Sequence, residues 1–144
     1  MKATAVWEGG FRTVLRDDRG HEVPVDLPLD EDGGDTGPTA LELSVLSLAG
    51  CISTIFTLVA KRRRLPFEAL TIELEAIRPE RAPTISSIDG TFRITTPAAP
   101  EEVNTALNIT LRTCPVGVLF DQARIPVRVR PIVVPSKALA STRM

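Results

Sequence analysis

The chain is poor in metal-binding side chains: His21 is its only histidine, Cys51 and Cys114 are its only cysteines, and no CxxC occurs. Two thiols and one distant imidazole do not make the closed tetrahedral set of N and S ligands that a structural zinc needs. Charge of either sign is also not in excess. The 17 lysines and arginines stand against 18 aspartates and glutamates, so no basic field favours a nucleic-acid backbone or an anionic membrane surface. No secretory signal opens the sequence. Met1-Lys2-Ala3-Thr4-Ala5-Val6 alternates like a strand and lacks an apolar core and a small-residue cleavage site, so the expected address is cytoplasmic. In that reducing compartment two cysteines are not a structural staple by default, and a bond between them is expected to be transient and catalytic. No repeat or low-complexity segment is visible. The 144 residues suit one domain with one core, here expected over 1–134, with a patternless tail over 135–144 that frays.

What is present begins as a β-meander. Residues 2–8 alternate, Gly9-Gly10 turns the chain, residues 11–15 resume, Asp17-Asp18-Arg19-Gly20 turns it again, and residues 22–27 form a third short strand. Residues 28–38 mix acids, glycines and prolines at a density that excludes helix and central strand, and read as an exposed functional loop. Their acids miss the spacing of an EF-hand. Thr39 and Glu42 then fit a capping box, in which each side chain satisfies the other's backbone donor at a helix start. No charge appears over 43–60, and Lys61-Arg62-Arg63-Arg64 closes the helix with cations that complement its carbonyl end. A membrane span has similar length and flank. Ser44, Ser47, Ser53, Thr54 and Thr57, with strand and turn sequence on both sides, favour a core helix instead.

Such a helix is apolar nearly all round, and the rest of the chain can cover only one side of it. Ser44, Ser47, Gly50, Thr54 and Thr57 form a small-residue stripe where a second helix can approach, so a homodimer through this helix is expected. Residues 70–77 alternate as a half-buried strand, and residues 85–95 answer it in a second hairpin with a phase break at Asp89-Gly90 that suggests a bulge or tight turn. Pro100-Glu101-Glu102 starts a shorter helix with Val103, Ala106, Leu107 and Leu111 inward. Cys114-Pro115 ends it or starts another turn, and 125–134 is a final strand. The order is β-β-β-α-β-β-α-β, an α+β class.

Leu41-Glu42-Leu43 followed by Leu48-Ala49-Gly50-Cys51, and later Cys114-Pro115-Val116, resemble the paired cysteine motifs of the OsmC/Ohr family, nearer its OsmC-like branch. Trp7-Glu8-Gly9-Gly10-Phe11-Arg12, Gly33-Gly34, Gly37-Pro38-Thr39 and Arg64-Leu65-Pro66 fall where the family places similar elements. The resemblance implies an intertwined α+β homodimer with paired central helices, and thiol-dependent reduction of organic hydroperoxides. By it Cys51 is the peroxidatic cysteine and Cys114 the resolving one, an external thiol or dithiol is the reductant, and no bound cofactor is required. It also implies an activating arginine from the N-terminal strands. Arg12 matches best, with Arg16 and Arg19 behind it, and the plain alternative is an exposed strand residue.

In the family's peroxidases a glutamate at the start of the long helix holds that arginine. Here Leu41 occupies its place and Glu42 follows one residue later. Nine positions at about 100° each put Glu42 and Cys51 on opposite sides of the helix, so Glu42 is either a supporting residue or only the cap. A thiol buried among Leu48, Ile52 and Ile55 needs a cation or donors to hold its thiolate. His21, in a turn with no obvious partner, is excluded from that role. Cys114 at a Cys-Pro step is expected to have its pKa lowered by free backbone donors, or else to be a small buried hydrophobe. Two rivals stand beside the peroxidase: a slow general thiol oxidoreductase, and a dimeric binding module for a small apolar ligand.

Overall fold

A computed structural model describes residues 1–137. It has six strands and three helices, and the described chain divides into two compact units, Met1–Leu46 and the remainder from Ser47 on. Each is described by itself.

The first unit is an antiparallel sheet in the order β1 (Ala3–Gly9), β2 (Arg12–Asp17), β3 (Glu22–Val25). Gly9 (φ 108°) and Gly10 (φ 56°) make the first turn, in left-handed conformations that glycine adopts without steric cost, and the register shifts between Trp7 and Gly9. Trp7 Nε1 closes the turn on the Gly10 carbonyl at 2.9 Å. In the second turn Asp17 Oδ1 accepts from the backbone of Arg19 and of His21, each at 2.9 Å, and Asp17 Oδ2 lies 2.7 Å from His21 Nδ1. His21 therefore does have a partner, contrary to expectation: a short acidic side chain in a turn can reach a residue that sequence spacing alone does not pair with it. The bond from His21 holds the Asp17 carboxyl well below the usual carboxylate range.

After β3 the chain makes one 3-10 turn, Leu29–Glu31. The loop expected to be exposed and functional is largely exposed, and Thr36 ties it to the buried Asp26. Asp26 accepts from Leu27 N at 2.8 Å, Thr36 Oγ1 at 2.6 Å and Thr36 N at 3.3 Å, and the Thr36 hydroxyl leads in depressing its pKa.

Helix α1 (Ala40–Arg63) begins in the first unit and buries one face, carried by Leu48, Ile52, Phe56, Val59 and Ala60. Leu46 and Leu58 are exposed. The expected long buried helix is thus covered on one side within the chain. In the second unit β4 (Ala69–Ile77) pairs antiparallel with β5 (Ser87–Thr96), and β5 pairs parallel with β6 (Val127–Pro135). Helices α2 (Pro100–Thr113) and α3 (Pro115–Gln122) form the crossover that a parallel pair requires. Phe56 meets Phe92 of β5 edge to face at 4.6 Å and Phe67 at 5.8 Å, fastening α1 to the sheet.

Three expectations shift. No bulge occurs at Asp89-Gly90, because β4 and β5 pair without a register shift from Ala69↔Thr95 to Ile77↔Ser87. The apparent phase break is Gly90 itself, an inward position between Ile88 and Phe92 where a Cβ would stand 2.3 Å from the Glu73 carbonyl oxygen. The final strand starts two residues later than expected and includes Pro135. Ser136, placed in the expected tail, is buried and bonded to Glu68 and to the Thr96 carbonyl, whereas 138–144 lie outside the described residues.

Candidate functional site

Cys51 and Cys114 both belong to the second unit. Cys51 lies on α1, half-buried, one position before the buried Ile52. Cys114 is wholly buried and serves two helices at once. Its backbone N–H closes α2 by donating to the Thr110 carbonyl at 2.8 Å, and its sulfur caps α3 by accepting from Gly117 N at 3.4 Å. Pro115 follows at the first helical position, where a missing N–H costs nothing and the fixed φ suits the helix.

The Cys114 thiol is pushed up to about 11. Burial is the leading cause, the neighbouring Cys51 side chain is the next, and the amides of Gly117 and Val116 pull the other way. The expectation that cap donors lower this pKa is therefore reversed: local donors exist, but the desolvation of a thiolate outweighs them. At neutral pH Cys114 carries its proton, and Cys51 is near enough to raise its pKa. A disulfide between them would bring the two sulfurs to about 2.05 Å.

The other expected residues lie in the first unit. Arg12 Nε pairs with Glu8 Oε2 at 2.9 Å, Arg16 Nε with Glu22 Oε1 at 2.6 Å, and Arg19 Nε with Asp17 Oδ2 at 3.5 Å. Glu42 Oε2 accepts from Thr39 N at 2.8 Å and Thr39 Oγ1 from Glu42 N at 3.1 Å, the reciprocal capping box read from the sequence. Its carboxylate is engaged there and not with an arginine. Sequence reading missed Glu8, although opposite charges flanking the Gly9-Gly10 turn were a usable signal. Among the described residues no group of three or more His, Cys, Asp or Glu side chains can hold a metal ion.

A family model described as OsmC-like protein matches residues 33–130. An OsmC-like protein from Mycoplasma pneumoniae superposes with a TM-score of 0.78 at 16% identity, covering 94% of this chain and 96% of that one. An organic hydroperoxide resistance protein OsmC from Legionella pneumophila does so at 0.63 and 16%, covering 92% and 96%. The organic hydroperoxide resistance protein OhrB of Bacillus subtilis gives 0.63 and 18%, covering 92% and 98%. At these identities the likeness establishes the fold. No curated protein matches the chain.

Proposed function

The chain belongs to the OsmC-like protein family, and from that premise we propose that it reduces organic hydroperoxides in oxidative stress defence, with Cys51 attacking and Cys114 resolving. The observation that carries this reading is that the two thiols belong to one unit, Cys51 half-buried on α1 and Cys114 buried at the α2–α3 junction, with Cys51 near enough to raise the Cys114 pKa and keep that thiol protonated. The names of the relatives from Legionella pneumophila and Bacillus subtilis support the substrate class.

In the proposed cycle the Cys51 thiolate attacks the distal peroxide oxygen, the O–O bond breaks, and the alkoxide leaves as alcohol after taking a proton. The resulting sulfenic acid condenses with the Cys114 thiol, releasing water and forming a disulfide. An external thiol or dithiol then returns both cysteines to thiols and is itself oxidised. A resolving thiol that keeps its proton does not compete for the peroxide, which suits the division of labour. The resemblance gives Arg12 as the candidate for the activating cation; its guanidinium is paired with the Glu8 carboxylate, while Glu42 is engaged in the capping box. The proposed assembly is a homodimer through the α1 stripe of Ser44, Ser47, Gly50, Thr54 and Thr57, with exposed Leu46 and Leu58 at its flanks, and the proposed place of action is the cytoplasm.

Thiol titration after one equivalent of cumene hydroperoxide tests the cycle. Loss of both thiols in the wild type, a lasting sulfenic acid in Cys114→Ser, and slower oxidation in Arg12→Ala are expected. Unchanged thiols overturn it and favour the binding module with inert cysteines, a reading that draws on the complete burial of Cys114.

A further inference from the structure

The solvent face of the second sheet carries an open groove of about 570 Å³ that the thiol chemistry does not use. Two rows of outward side chains wall it. Strand register places Glu73, Thr91 and Arg130 side by side in one row, and Glu75, Asp89 and Arg128 in the other. The floor between the rows is the backbone of Leu74, Gly90 and Val129, whose inner-face positions leave no side chain in the groove. A Cβ at Gly90 would collide with the Glu73 carbonyl at 2.3 Å and with Leu74 Cδ2 at 2.6 Å, so the floor at this point requires glycine.

Charge along the groove is polarised. Glu73 and Glu75 stand together at the β4 end, and neither has an ion-pair partner among the described residues. At the β6 end Arg128 is neutralised by Asp89, through Nε to Oδ1 at 2.6 Å and Nη2 to Oδ2 at 3.1 Å. Arg130 has no such partner among the described residues. A groove built only as a solvated sheet face would gain by pairing Glu73 with Arg130, but Thr91 separates them on the intervening strand.

We propose that this groove binds a small elongated zwitterion, with its ammonium between Glu73 and Glu75 and its carboxylate on Arg130. Two strand spacings amount to about 9.6 Å, and a charge-assisted hydrogen bond takes about 2.8 Å at each end, so the ligand's charges are separated by roughly 4–7 Å. That span is the one offered by a β- or γ-amino acid or a dipeptide. An α-amino acid is too short to satisfy both ends.

Glycylglycine is the probe, followed by backbone amide chemical shifts of the full chain in low salt, with N-acetylglycylglycine lacking the ammonium and glycylglycine amide lacking the carboxylate. Saturable shifts at Glu73, Thr91 and Arg130 are expected with glycylglycine, and at least tenfold weaker binding with either blocked analogue. Glu73→Gln and Arg130→Gln, both exposed positions that leave the core untouched, are each expected to weaken glycylglycine at least tenfold, and Arg93→Gln on the same face to leave it unchanged. Shifts that do not saturate, or equal binding of the three probes, overturn the proposal. None of these readings depends on the oxidation state of the cysteines, so the groove and the peroxidase reading stand or fall separately.

Discussion

Between Met1 and Leu46, Val14 is the one apolar side chain that is buried, whereas from Ser47 on Leu48, Ile52, Phe56, Ile88, Phe92, Ile94, Val103 and Leu107 all are. Polar bonds divide the other way. Four of the five ion pairs among the described residues, and the Asp17 and Asp26 networks, fall in the first unit. The contrast separates two ways of holding the chain. Cys114, wholly buried and kept protonated chiefly by that burial, belongs to the unit with the apolar core. Charges that must stay solvated belong in the meander.

The largest expected effect tests whether that contrast is energetic. Phe92→Ala, at a fully buried ring that meets Phe56 edge to face, is expected to cost about 3–5 kcal/mol in denaturant unfolding. Phe11→Ala, 54% exposed at the turn of the meander, is expected to stay within about 0.5 kcal/mol. Comparable losses at the two sites would erase the distinction.

Acid should separate the units next. Asp26 has its pKa held below the ordinary 3.8, chiefly by the Thr36 hydroxyl. A depressed folded value means that its contribution is complete above 3.8 and is lost as pH falls through the folded pKa. Unfolding midpoints of wild type and Asp26→Asn, followed downward from neutral pH, are expected to differ most above that value and to converge below it. A gap that widens in acid would show that the carboxylate is not what ties the loop.

How much of this was legible follows from the range over which each feature is encoded. Helix α1 was readable almost to the residue because its signals are local: the Thr39/Glu42 box at one end, the Lys61–Arg64 cations at the other and an unbroken apolar run between. Strand β4 was readable from its strict alternation. The parallel pairing of β5 with β6 and the closure of the loop by Asp26 and Thr36 depend on partners brought together only by folding, and no local pattern announces them. Gly90 misled because a missing side chain imitates a change of phase. The juxtaposition of Cys51 and Cys114 was reached through family likeness, since neither spacing nor composition pairs them.

A smaller effect compares the starts of two helices. Thr39→Ala removes the hydroxyl half of the α1 box and is expected to cost about 1 kcal/mol, with Thr39→Ser restoring most of it. Loss of the same size from Thr39→Ser would assign the effect to packing of the methyl group instead.

The smallest effect concerns the thiols themselves. Burial and the Cys51 side chain both raise the Cys114 pKa to about 11, burial being the larger cause. Cys51→Ser leaves the buried site in place and substitutes a neutral hydroxyl, so that a second ionising sulfur no longer opposes a charge on Cys114. Thiolate absorbance followed through alkaline pH in this variant should therefore give a Cys114 midpoint below about 11 yet still above the ordinary 9.0. The remaining elevation measures the apolar core, and the part that disappears measures the other thiol. A midpoint unmoved by the substitution would mean that Cys51 does not influence Cys114, and would take away the nearness of the two thiols on which the peroxidase reading rests while leaving the contrast between the two units intact.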